Sequence, residues 1–219
     1  MVLTHIFYEL FYNSIKIVTM PDSDFHTKSQ YSENIENFSR LNRLAGKLYR
    51  SNPLNKKSIF MDISSEDVQQ LLKSLNHFQV KYLLIGGMAG VVHGHIRTTQ
   101  DMDLWVKNDL DNTKALIKAL SENDVVGSNL LLNMPLIFGY TSVRFGMSGF
   151  ELDLGHSLKA FSEADFDACY ERALNADLDG IPFPVIQLKD LITEKISTGR
   201  PKDLGDIVEL QRIWDEQQL

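Results

Sequence analysis

A chain of 219 residues, 43% of them hydrophobic, is long enough to bury the core of one full domain and still carry an extension. Its single cysteine, Cys169, excludes an internal disulfide framework and a metal-thiolate cluster, which suits a reducing compartment such as the cytoplasm. The formal charge of −7 divides into +3 over residues 1–60 and −10 over residues 61–219, and so acidic a body excludes a broad, non-specific nucleic-acid surface, which works by neutralising phosphates.

In chain order, residues 2–18 read VLTHIFYELFYNSIKIV. His5, Glu9, Asn13 and Lys16 make this stretch too polar for a membrane span, and it lacks the basic start and small-residue cleavage site of a signal peptide. Residues 20–60 are rich in Ser, Asn and Lys without sustained periodicity, so residues 1–60 are expected to form a poorly ordered extension. Met61 directly precedes the first well-formed element, which makes it an alternative start whose test is the intact mass of the natively expressed protein. The domain is expected over residues 61–219.

From there the punctuation sharpens. SSEDVQQLLKSLNHF predicts a helix with Ser64 or Ser65 as N-cap and Val68, Leu71, Leu72 and Leu75 on one face. KYLLIGG predicts a short apolar strand closed by two glycines, and MDLWV a second strand. DLDNTKALIKALSEN predicts an amphipathic helix with Leu116, Ile117 and Leu120 inward. PLIFGYTSVRFG and FELDLGHSL, separated by Met147-Ser148-Gly149, predict a strand pair with a tight turn. SEADFDACYERAL predicts a further helix, Asp179-Gly180 a hairpin leading into IPFPVIQ, and LKDLITEKIS with KDLGDIVELQRIWDEQ two helices split at Gly199-Arg200-Pro201. Strands interleaved with helices imply an α/β or α+β fold, with a helical tail over about residues 187–216.

The chemistry concentrates at Asp101-Met102-Asp103-Leu104. On a strand, residues i and i+2 face the same way at about 6–7 Å, so Asp101 and Asp103 project together while Met102 and Leu104 face the core. Two carboxylates on one side of an apolar strand repel each other and lose hydration. A divalent cation resolves both costs, and two Mg²⁺ ions about 3.5–4 Å apart clamp the attacking and leaving oxygens of a phosphoryl transfer. That design wants a third carboxylate from a neighbouring strand, for which Glu151 and Asp153 both qualify, with Asp153 favoured between Leu152 and Leu154. Upstream, Gly86 and Gly87 let backbone approach an anion such as a triphosphate. Arg97, with Thr98 and Thr99 beside it, is placed to orient phosphate oxygens.

Gly-Gly, thirteen residues, then Asp-x-Asp between hydrophobics resembles the nucleotidyltransferase superfamily that includes DNA polymerase beta. YLLIGGMAGVVHGHIRTTQDMDLWV together with PVIQLKDLITEKISTGRPKDLGDIVEL is similar to the small bacterial nucleotidyltransferases related to abortive-infection toxins and to minimal nucleotidyltransferase antitoxins. The resemblance covers about residues 61–215. It implies a mixed β-sheet flanked by helices, with a C-terminal helical tail that helps close a nucleotide pocket. It also implies that Gly86 and Gly87 hold phosphates, that Asp101, Asp103 and Asp153 bind two Mg²⁺ ions, and that Asp153 helps activate an acceptor hydroxyl. In the tail it implies nucleotide roles for Lys195, Arg200 and Lys202, in a pattern that also includes Asp203.

The expected activity is transfer of a nucleoside monophosphate from a nucleoside triphosphate to an acceptor, be it protein, RNA or a small molecule, within a toxin-antitoxin or phage-defence setting. The alternative is an antitoxin-like or scaffold module that uses the fold to bind a small helical partner, with little activity. A toxin acting on tRNA is a third reading, which the acidic body disfavours. His93 and His95 are expected to serve structure or the substrate pocket rather than zinc.

Overall fold

The computed structural model describes residues 26–51 and 63–218. Residues 2–18 and Met61 lie outside them. Among the described residues no helix is long and apolar enough to cross a membrane.

Six strands form one mixed sheet in the order β3-β4-β2-β1-β6-β5. These are β1 (Tyr82–Ile85), β2 (Asp101–Val106), β3 (Ser142–Phe145), β4 (Phe150–Gly155), β5 (Leu174–Leu178) and β6 (Ile181–Val185). The outer pairs β3/β4 and β5/β6 are antiparallel hairpins, as their turn residues predict. Asp179 and Gly180 both have positive φ, 53° and 83°, which is why Asp-Gly sits there. β2 lies antiparallel to β1 but parallel to β4, so the acidic strand is flanked on both sides within the sheet. Its burial follows from this position. Met102 and Leu104 are inaccessible, and so are Trp105 and Val106, because a central strand covered on both faces no longer alternates.

The helices of the domain are α2 (Glu66–His77), α3 (Gly86–Val92), α4 (Leu110–Ser121), α5 (Phe166–Glu171), α6 (Leu188–Thr198) and α7 (Pro201–Glu216). α2 starts where its cap predicts, with the Ser65 hydroxyl accepting from Val68 N, and Asp109 caps α4 in the same way. Val68, Leu71, Leu72 and Leu75 of α2 and Leu116 and Leu120 of α4 point into the core, while Ile117 is half-buried. α6 ends on Gly199 at φ 62°, and α7 starts on Pro201 at its first turn. Gly at the end of one helix and Pro at the start of the next are tolerated because neither interrupts an intrahelical hydrogen bond. The two helices then pack together as the tail.

Within the segment expected to be a poorly ordered extension, residues His26–Arg50 form a 25-residue helix, α1. Ile35 and Phe38 are buried against the domain, and Asn34 donates to the Val92 carbonyl at 3.1 Å. The helix is rich in Ser, Asn and charged residues and buries Ser39 and Asn42 beside its apolar side chains, so its composition reads as polar chain although one face packs on the domain.

Candidate active site

The end of β1, the start of β2 and the middle of β4 meet at one cavity. It measures about 460 Å³ and is lined by Asp101, Asp103 and Asp153 together with Arg97, Lys195, Arg200 and Lys202. A volume of this size holds a nucleotide-sized ligand. Three carboxylates come from the sheet, and cations from the loop before β2 and from the helical tail, which also brings Glu194 and Asp203. The three sheet carboxylates are its acidic wall, and the loop and tail cations its basic wall.

The acidic wall follows from strand register. β2 and β4 run parallel, with Asp103 opposite Asp153 and Asp101 opposite Glu151. Of the two candidates on β4, Asp153 lines the cavity, whereas Glu151 is exposed and accepts from the Ser142 hydroxyl at 2.9 Å. Asp101 is held by the buried Thr99, whose hydroxyl donates to Oδ1 at 2.9 Å. The Asp103 carboxyl is pushed up to about 7, first by burial and then by the negative charges of Asp101 and Asp153, against the opposing pull of Lys202 and Arg200. Oδ1 of Asp153 is buried without a hydrogen-bond partner.

An under-satisfied, mutually repelling set of carboxylate oxygens fits a hard divalent cation by donor chemistry. Among the described residues no group of three or more His, Cys, Asp or Glu side chains forms a ready metal cage. Mg²⁺ does not demand one, since it keeps several waters and is commonly held by one or two carboxylates together with substrate phosphates.

The glycine turn after β1 is built for close approach. Gly86 has φ 69°, and a Cβ there would collide with Oδ2 of Asp103. At Gly87 a Cβ would stand 2.9 Å from the Thr99 hydroxyl and 3.4 Å from Cζ of Arg97. Both glycines line the cavity.

The basic wall is less free than its residue types imply. The Lys195 ammonium is buried and bonded to Asp206 at 2.7 Å and to Asp203 at 3.3 Å. Arg200 clasps Asp203 at 2.6 Å, and Arg97 donates through Nη1 to Asp206. Lys202 is exposed at the cavity, and its charge acts on Asp103. Asp206 and the cavity-lining Glu194 were not singled out from sequence. The available signal was Asp203 and Asp206 at i and i+3, which share one face of α7. Glu194 accepts from the backbone N–H groups of Lys159 at 3.1 Å and Ala160 at 2.8 Å, and so ties the loop after β4 to α6. His93 is buried with its Nε2 at 2.7 Å from the Ile186 carbonyl, and His95 Nε2 lies 2.9 Å from Asp206.

Asp203 is fully inaccessible between Lys195 and Arg200. Removing one member of a buried ion cluster leaves charge without compensation, so Asp203→Ala is expected to destabilise the fold by about 3 kcal/mol. Urea unfolding of the two proteins measures this, and an unchanged midpoint would show that the cluster contributes nothing to stability.

A nucleotidyltransferase candidate from Thermotoga maritima is 15% identical, with 68% of this chain and 91% of that one covered and a TM-score of 0.44. The antibiotic-resistance factor ANT(2'')-Ia is 16% identical, with 67% and 80% covered and a TM-score of 0.42. No curated protein matches the sequence. Residues 60–215 match the family model described as "Nucleotidyltransferase of unknown function", DUF6036, and the chain belongs to that family.

Proposed function

We propose that the protein transfers a nucleoside monophosphate from a nucleoside triphosphate to an acceptor hydroxyl, with Mg²⁺ held by Asp101, Asp103 and Asp153. The observation that carries this reading is the convergence on one cavity of three carboxylates from β2 and β4 and of cations from the 97–99 loop and the tail. When bound, Mg²⁺ offsets charge on the phosphates and lowers the pKa of a hydroxyl it meets. Gly86 and Gly87 give the triphosphate room against the backbone, and Arg97, Arg200 and Lys202 meet its charge. Lys195, bonded to Asp203 and Asp206, braces that wall. Asp153, which lines the cavity, takes the proton of the acceptor hydroxyl as the hydroxyl oxygen bonds to the α-phosphorus and the bond to pyrophosphate breaks.

Calorimetric titration of ATP, CTP, GTP and UTP in Mg²⁺ tests the reading. One nucleotide is expected to bind in a metal-dependent way, and the Asp101→Asn/Asp103→Asn double variant to lose that dependence. No binding to any of the four would refute it.

One observation favours a second reading, in which the fold serves to bind a protein such as a toxin or antitoxin partner. Residues 125–143 contain no charged side chain, yet Val126, Leu130, Met134, Ile137 and Tyr140 are exposed. Exposed apolar surface of this kind is characteristic of protein interaction sites. Ile137 and Phe138 also line the cavity mouth.

A further inference from the structure

We infer that Asp206 is a positioning residue, holding the Arg97 guanidinium over the glycine turn where a triphosphate is received. This rests on the nucleotide reading above.

Asp206 is buried on α7 and collects three partners from three different elements. Its Oδ2 accepts from Lys195 of α6 at 2.7 Å and from Nη1 of Arg97, while His95 from the segment after α3 meets its Oδ1 at 2.9 Å. Burial opposes ionisation of this carboxyl. The hydrogen bonds from His95 and Lys195, with the charges of Lys195 and Arg97, outweigh burial and hold it far below the usual carboxylate range. It is therefore an anion at any pH at which the protein works.

Arg97 is fixed at two of its three nitrogens. Nε donates to the Thr98 carbonyl at 3.2 Å and Nη1 to Asp206. Its Cζ lies where a Cβ on Gly87 would make ordinary contact, at 3.4 Å, so the planar group rests against the bare glycine. Nη2 has no partner among the described residues, and Arg97 lines the cavity beside Gly87 and Asp101. A long side chain free in solution loses about 2 kcal/mol of rotamer entropy when a ligand fixes it. Here Asp206 has already fixed it, with an N–H group left over for phosphate.

The competing role is simple charge compensation of the buried Lys195, and the two roles predict opposite signs. If Asp206 only compensates charge, Asp206→Asn makes the basic wall more positive and tightens anion binding. If it positions Arg97, the same change loosens the guanidinium and weakens binding although a negative charge has gone.

The probe is inorganic tripolyphosphate, which needs no knowledge of the base, titrated calorimetrically into the full chain in the presence of Mg²⁺. Asp206→Asn is expected to bind it about tenfold more weakly than the parent, the loss of one charge-assisted hydrogen bond's worth of orientation. Arg97→Lys keeps the charge without the fork and should lose a similar factor. The double variant should be no weaker than either single one, because both changes remove the same contact. Unchanged or tighter binding by Asp206→Asn overturns the inference and leaves the nucleotide reading standing. A parent chain that ignores tripolyphosphate overturns the nucleotide reading, and the inference with it. Should Asp206→Asn not unfold cooperatively, Arg97→Lys carries the test, and unchanged binding there overturns the inference as well.

Discussion

Asp103→Asn is expected to make the metal-free protein more stable at pH 8 while reducing nucleotidyl transfer by on the order of 10³-fold or more. The two effects share one cause. Asp103 stands between Asp101 and Asp153 at a desolvated strand position, which raises its carboxyl from an ordinary value near 4 to about 7. Between those values the folded state binds more protons than the unfolded chain, so the stability linked to this group is full below about pH 4 and is lost as pH rises through 7. Asparagine has no proton to lose. At pH 8 the variant should therefore exceed the parent by on the order of 1–2 kcal/mol once solvent screening in the open cavity is allowed for, or roughly 3–6 °C in melting temperature. At pH 4 the two should melt together. Adding Mg²⁺ should raise the parent's melting temperature at pH 8 and leave the variant's almost unmoved, since only a ligand that binds the native state stabilises it. Equal melting temperatures at pH 8 would show that the carboxylates do not repel one another as described, and retained transfer would end the metal assignment.

Gly86→Ala is expected to cost at least about a hundredfold in transfer, more than its loss of stability explains. Its backbone lies at φ 69°, where an alanine is disfavoured by about 1–2 kcal/mol. The larger effect is local. The new methyl would occupy the space of Oδ2 of Asp103, so the Asp103 side chain must leave its present position. Gly87→Ala meets only the Thr99 hydroxyl at 2.9 Å and Arg97 beyond it, and should cost less. Transfer from an α-phosphate-labelled nucleoside triphosphate, with circular dichroism and thermal melts as folding controls, separates the two terms. An active Gly86→Ala variant would mean that Asp103 need not hold its present orientation.

These glycines show how much of the site was legible in the sequence. A Gly-Gly pair after an apolar run marks a sharp turn, and the Asp-x-Asp spacing puts two carboxylates on one strand face, because both signals are local properties of the backbone. That Gly86 must be glycine on account of Asp103 is not local. It follows from β1 lying antiparallel to β2 with Ile85 opposite Asp103, a pairing that neither strand specifies alone.

Helix α1 was hidden for a related reason. Its buried face mixes Ile35 and Phe38 with the polar Ser39 and Asn42 and is tied by the Asn34 bond to Val92, and only the packed domain shows that these polar residues face inward. The basic residues divide along the same line. Arg97, Lys195 and Arg200 could be picked out as cations near the site, yet two of them are bound to Asp206, 109 and 11 residues further along, and Lys195 and Arg200 share Asp203.

Most of the elements that follow residue 63, their caps and turns, and the face on which Asp101 and Asp103 lie were determined by the sequence itself, because helix period, strand alternation and glycine φ act over a few residues. The strand order, the bond between Glu151 and Ser142 and the tethering of Arg97 to Asp206 were decided only by tertiary structure. A carboxylate's partner depends on which distant strand or helix packs beside it, and pairing energies act through space without regard to chain separation.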